Sequence, residues 1–207
     1  DHVARHGYHG WQDWSIGRDY GIRARGVPNV VQGLTRTFPY NDLDALERVL
    51  SDVPCAAVIL EPVNLHPPEP GYLEGVRILA DQYGALLVFD EVITGFRYAP
   101  GGAQEYFGVM PDLCAMGKGL ANGFPLSIVA GTREAMRAFD EIFFSFTFAG
   151  ETVALRAAMT TLDVMQRDGY WSHVWRLGAR LQESYNEIAG ELELSDVTWC
   201  GGLPPWT

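Results

Sequence analysis

Ala85-Leu86-Leu87-Val88-Phe89-Asp90-Glu91-Val92, followed further on by Pro111-Asp112-Leu113-Cys114-Ala115-Met116-Gly117-Lys118-Gly119, is the stretch that decides how the chain is read. Each part is a short apolar run that ends in charged or small residues. Runs of this length, bounded by turn signals, read as buried strands. In an open parallel sheet, ligands sit beyond the carboxyl ends of the strands. Asp90 and Lys118 are therefore expected to reach one crevice.

Lys118 is also the one lysine among the 15 lysines and arginines of the chain. An ammonium can lose its proton when desolvated and then serve as a base or an amine nucleophile, which a guanidinium cannot do. A lone lysine is usually a surface charge. This one follows an apolar strand and stands between Gly117 and Gly119, which favours a chemical role.

Working outward, Gly71 to Tyr83 reads as a helix with Leu73, Val76, Leu79 and Ala80 inward and Gly84 at its C-terminal cap. Leu65 to Pro70 is a proline-rich loop, and Ala56 to Leu60 a short buried strand ending at Glu61-Pro62. Asn41 is expected to cap a helix over Asp42 to Leu50, with Leu43, Leu46, Val49 and Leu50 on one face. Val30 to Phe38 reads as a strand stopped by Pro39, and the opening His6-Gly7-Tyr8-His9-Gly10-Trp11-Gln12-Asp13-Trp14 as a Gly-rich aromatic loop. Beyond Lys118, Leu126 to Ala130 is a strand, Thr132 caps a short helix through Phe139, and Ile142 to Phe146 is strand-like. Val153 to Met165 and Val174 to Ile188 carry helical periodicity. Strands alternating with helices define an α/β domain with a mainly parallel sheet flanked by helices.

With 207 residues, 47% hydrophobic and 20% charged, the chain has the composition of a globular domain with ample core. A formal net charge of −11 argues against nucleic acid as a partner, because phosphates need a basic surface. Cys55, Cys114 and Cys200 have no paired spacing, and two of them lie in apolar strands, so they read as free thiols of a reducing compartment. No apolar run reaches membrane-spanning length and no signal peptide opens the chain, so the expectation is a cytoplasmic protein without membrane contact. The first residue is Asp1 and the tail Trp199 to Thr207 stops where a new strand would begin, as expected for a piece of a longer chain.

A carboxylate and a lysine at neighbouring strand ends could form a structural ion pair, a Schiff base with a carbonyl substrate, or a site for pyridoxal phosphate. The last needs a lysine for the cofactor aldehyde and a carboxylate to keep a proton on the pyridine nitrogen. It also needs an aromatic and an apolar side chain on the two ring faces, and donors for the phosphate. Lys118, Asp90, Tyr8, Val92 and Thr147 are available for these places. The competing motifs are absent. Gly117-Lys118 has Asp112 in place of the first P-loop glycine and Gly119 in place of Ser or Thr. The five histidines form no H-E-x-x-H, there is neither G-x-S-x-G nor S-x-x-K, and metal-ligand spacings are missing.

The segments Leu87 to Arg97, Pro111 to Leu113 and Gly117-Lys118-Gly119-Leu120-Ala121-Asn122-Gly123-Phe124-Pro125 resemble the signature of the class III aminotransferases, pyridoxal-phosphate enzymes of fold type I. Tyr8-His9-Gly10, Glu61-Pro62 and Thr147-Phe148-Ala149-Gly150 stand in the expected order around it, most like the glutamate-1-semialdehyde aminomutase group and its aminotransferase relatives. The resemblance implies that Lys118 carries the cofactor as a Schiff base and, once freed, moves the substrate proton. It implies that Asp90 pairs with the pyridinium nitrogen, that Tyr8 and Val92 cover the two ring faces, and that Glu61 orders groups near the ring. Thr147 would reach the cofactor phosphate of a neighbouring subunit, making the active unit a homodimer. The reaction implied is transfer of an amino group between an amino acid or amine and a carbonyl compound. An intramolecular aminomutase and a non-catalytic binding or dimerisation piece are the alternatives. The family's phosphate-gripping loop lies upstream of Tyr8 and is not in this chain. Residues 1–195 are therefore expected to be most of the large cofactor-binding domain, and 196–207 the start of a small C-terminal domain.

Overall fold

The computed structural model describes residues 1–16, 21 and 24–206. Its strands are His2–Arg5 (β1), Thr35–Thr37 (β2), Cys55–Leu60 (β3), Leu86–Glu91 (β4), Leu113–Met116 (β5) and Ile128–Gly131 (β6). They form one sheet in the order β2-β1-β3-β4-β5-β6. Every pairing is parallel except β5 with β6. The carboxyl ends of β1, β3, β4 and β5 therefore lie side by side along one edge.

The helices are Asn29–Gln32 (α1), Leu43–Asp52 (α2), Tyr72–Tyr83 (α3), Ala103–Phe107 (α4), Arg133–Arg137 (α5), Thr152–Arg167 (α6) and Tyr170–Glu191 (α7). The main core lies between one face of the sheet and α2 and α3. Leu46 and Leu50 of α2 and Leu73, Val76 and Ala80 of α3 meet Ala4, Val58, Leu60, Leu87 and Phe89 there. Each fully buried aliphatic side chain contributes about 1.5–3 kcal/mol. The helical stripes expected from the sequence are the ones that are buried, with Leu43, Val49 and Leu79 packed at their margin. Gly84 caps α3 in the left-handed conformation, as its position after Tyr83 predicts. Thr132 likewise caps α5, its hydroxyl accepting from the Ala135 amide.

Four local readings are corrected. Val30 to Phe38 is not one strand: Pro28 and Gly33 bracket the single turn of α1, Val30 is exposed, and only Thr35–Thr37 pairs with β1. Val31, the other apolar residue of that turn, is half-buried. The cap of α2 is Asp42, whose carboxylate accepts from the Ala45 amide at 2.8 Å, and not Asn41. Asn41 instead bonds the Pro67 carbonyl and the Glu69 amide, pinning the proline-rich loop. Ile142 to Phe146 forms no strand. These residues pair with no strand of the sheet, and Ile142, Phe143, Phe144 and Phe146 are exposed. Finally, β1 and α4 had no counterpart in the sequence reading. Both are too short for a period to declare itself.

The residues after α7 fold back along it. Asn186 exchanges two hydrogen bonds with the Cys200 backbone at 2.8 and 2.9 Å, and the Gln182 amide donates to the Gly202 carbonyl. Leu203 and Trp206 pack with Val63, Tyr98, Ala103 and Trp175. Thr207 lies outside the described residues. Among the described residues no helix is long and apolar enough to cross a membrane.

Candidate active site

The parallel register delivers four groups to one edge. The loop after β1 carries Tyr8 and His9, β3 is followed by Glu61, the last two residues of β4 are Asp90 and Glu91, and β5 is followed by Gly117 and Lys118. Side chains alternate along a strand, so Phe89 and Glu91 face the buried core while Asp90 faces the other way and stays partly open.

Asp90 is held at both oxygens. Oδ1 accepts from the Val92 amide at 3.1 Å and Oδ2 lies 2.7 Å from His9 Nδ1. The His9 side chain is only 2% exposed, and its Nε2 lies 2.7 Å from the His6 carbonyl. The sequence reading quoted His9 within the Tyr8-His9-Gly10 motif and assigned it no role. Its place beside Tyr8 in the Gly-rich aromatic loop was the only available signal, because the partner carboxylate is 81 residues away.

Glu61 sits within the same group. Gly7 turns with a φ of +85°, and a Cβ there would come within 3.8 Å of Glu61 Oε1. Burial chiefly, and then the charge of Asp90, push the Glu61 carboxyl above its ordinary range, while His9 and Lys118 pull it back. Glu61 thus feels Asp90, His9 and Lys118 together.

Val92 lies against the lysine loop: its Cγ1 is 3.9 Å from the place a Gly117 Cβ would take. Lys118 and Tyr8 are both exposed at this end of the sheet. Lys118, Asp90, Val92, Glu61 and Tyr8 are therefore brought to one edge of the sheet. Thr147 lies in the exposed segment between α5 and α6. Pro111-Asp112 lies at the opposite edge, where Asp112 Oδ2 accepts from the Leu87 amide at 2.7 Å and from Arg77 at 2.8 Å. That part of the quoted stretch fastens β4, β5 and α3 and does not enter the crevice.

The donor set fits a flat, cationic heteroaromatic ring with an aldehyde. A carboxylate with both oxygens oriented faces the crevice, an aromatic residue and a β-branched aliphatic flank it, and a single amine stands one strand away. The fold is that of the fold type I pyridoxal-phosphate transferases. The comparisons with known proteins agree: the family model for aminotransferase class-III matches residues 15–203, and the chain belongs to that family. A 3-aminobutyryl-CoA aminotransferase of Cloacimonas acidaminovorans is 36% identical over 95% of this chain and 50% of its own length. A glutamate-1-semialdehyde 2,1-aminomutase of Gemmatimonas aurantiaca is 46% identical over 69% of this chain and 34% of its own. A solved transaminase with pyridoxal phosphate bound superposes with a TM-score of 0.86 at 27% identity, covering 98% of this chain and 52% of the other. The chain spans about half the length, or less, of the curated relatives it matches.

Proposed function

We propose that this chain is the cofactor-binding part of a pyridoxal-phosphate aminotransferase that moves an amino group between a small amine or amino acid and a carbonyl compound. The observation that carries this reading is the delivery of Asp90 and Lys118 to the same end of the adjacent parallel strands β4 and β5. When bound, pyridoxal phosphate supplies an aldehyde for amines and a ring that withdraws electrons from the substrate carbon. Asp90 supplies a fixed negative charge for a ring N–H, with its orientation set by His9 and Val92. Tyr8 would cover one face of the ring and Val92 the other. Lys118 Nζ would be the covalent attachment point for the aldehyde and, when released, would carry the proton taken from the substrate carbon.

The remaining assignments follow from the same reading. Residues 1–195 are most of the large domain and 196–207 begin a small one. The working unit is a cytoplasmic homodimer in which Thr147 serves the partner's phosphate site. A second reading, the intramolecular aminomutase, is favoured by the 46% identity to the Gemmatimonas aurantiaca aminomutase. Amino transfer within glutamate-1-semialdehyde without an external donor would select it.

The test is an absorbance titration of the chain and its Lys118→Ala variant with pyridoxal phosphate, then borohydride reduction and peptide mapping. A reduced adduct on Lys118, absent from the variant, is expected. An adduct of equal yield in both proteins overturns the assignment.

A further inference from the structure

Glu91 is the most deeply buried acid in the molecule's described part, at 0% exposure, and the chemistry assigned above does not use it. Four donors converge on its carboxylate. The Thr94 hydroxyl donates to Oε2 at 2.8 Å and the Ala103 amide to the same oxygen at 2.6 Å. The Gln104 amide and the Gln104 side chain donate to Oε1 at 3.1 and 2.9 Å. Two of these donors are backbone N–H groups of the first turn of α4, which have no partner within that helix. The closeness is purchased by glycine. Gly102 has a φ of +82°, and a Cβ there would meet Glu91 Oε2 at 2.4 Å.

The contacts close residues 92–104 into a loop tied at both ends to the last residue of β4. Its first turn is fastened by the Gly95 amide on the Glu91 carbonyl at 2.8 Å and by Thr94 on the Glu91 carboxylate. Val92 lies inside that turn, and its amide is one of the two groups that orient Asp90. A buried carboxylate satisfied by four donors is rigid, because each lost partner leaves an unpaired polar group in the core.

We propose that Glu91 is a positioning residue: its buried carboxylate gathers residues 92–104 onto the end of β4 and thereby holds the Val92 amide against Asp90 and the Val92 side chain over the crevice. This rests on the reading that Asp90 and Val92 serve a bound ring. Two adjacent acids then divide the work across the sheet. Asp90 faces the ligand, and Glu91 on the opposite face fixes the turn that aims it.

The experiment uses the full chain with two substitutions, Glu91→Gln and Thr94→Val. The first sets an amide nitrogen against N–H donors. The second keeps the carboxylate and three of its donors, so it stays informative if the first does not fold. The readouts are the Val92 amide resonance in the cofactor-free protein and the dissociation constant for pyridoxal phosphate. The expected result is a displaced Val92 resonance in both variants, with affinity weakened about tenfold in Glu91→Gln and less in Thr94→Val. A lowered melting temperature with Val92 resonance and affinity both at parent values would overturn the proposal and leave Glu91 a purely structural group. If the parent chain takes up no pyridoxal phosphate, cofactor binding needs the phosphate loop that this chain lacks, and the Val92 resonance alone decides the role of Glu91.

Discussion

His9 Nδ1 stands 2.7 Å from Asp90 Oδ2, and His9 Nε2 stands 2.7 Å from the His6 carbonyl. Both ring nitrogens thus lie within hydrogen-bond distance of an acceptor oxygen. His9 ties the loop after β1 to the end of β4 and orients Asp90. Replacing His9 with Ala removes a charge-assisted contact of about 1.5–3 kcal/mol. We expect pyridoxal phosphate affinity to fall about tenfold to hundredfold, measured by absorbance titration, with the sheet intact by circular dichroism.

Glu61 makes stability depend on pH. Burial first, and the neighbouring Asp90 charge second, raise its carboxyl above the ordinary range. The folded state therefore holds the proton more tightly than the unfolded chain. The favourable contribution is complete below the unfolded pKa and is lost as pH rises through the folded one. Glu61→Gln keeps a neutral group there at every pH. The variant is expected to gain stability over the parent at pH 8 and little at pH 4, in paired urea melts at the two values. Equal differences at both would refute the assignment.

The C-terminal fold-back can be tested at Gly178. A Cβ at this position would come within 2.6 Å of the Pro204 carbonyl carbon, which belongs to backbone and cannot rotate aside. Gly178→Ala should destabilise by about 1–3 kcal/mol as an overpacking change. It should also alter the fluorescence of Trp206 and Trp175, which pack around Tyr98. An unchanged emission spectrum would mean that residues 203–206 do not rest on α7 in solution.

At the N-terminus of α2, Asp42→Ala removes the acceptor for the Ala45 amide. The expected loss is about 1 kcal/mol in a urea melt. Asn41→Ala leaves that cap in place and loosens the loop at Pro67 and Glu69 instead, so the two neighbours should give different protection patterns in hydrogen exchange.

Much of this protein is legible in its sequence. The strands β3, β4 and β5 are declared by apolar runs whose ends carry Glu61, Asp90 and Lys118, and α2 and α3 by stripes at helical spacing. These are local signals, set by which side chains must leave water. Asp90 and Lys118 could be placed in one crevice because parallel strands have all their carboxyl ends on one edge. Other features depended on neighbours that no local pattern reveals. Ile142 to Phe146 has the composition of a strand and joins no sheet. Asn41 and Asp42 are both good capping residues, and the tie to Pro67 and Glu69 claims one of them. The pairing of His9 with Asp90 and the convergence of Thr94, Ala103 and Gln104 on Glu91 were decided only by the tertiary structure. Hydrogen bonds between residues distant in sequence are specified by the register of the sheet and the path of its loops, and periodicity carries no trace of them.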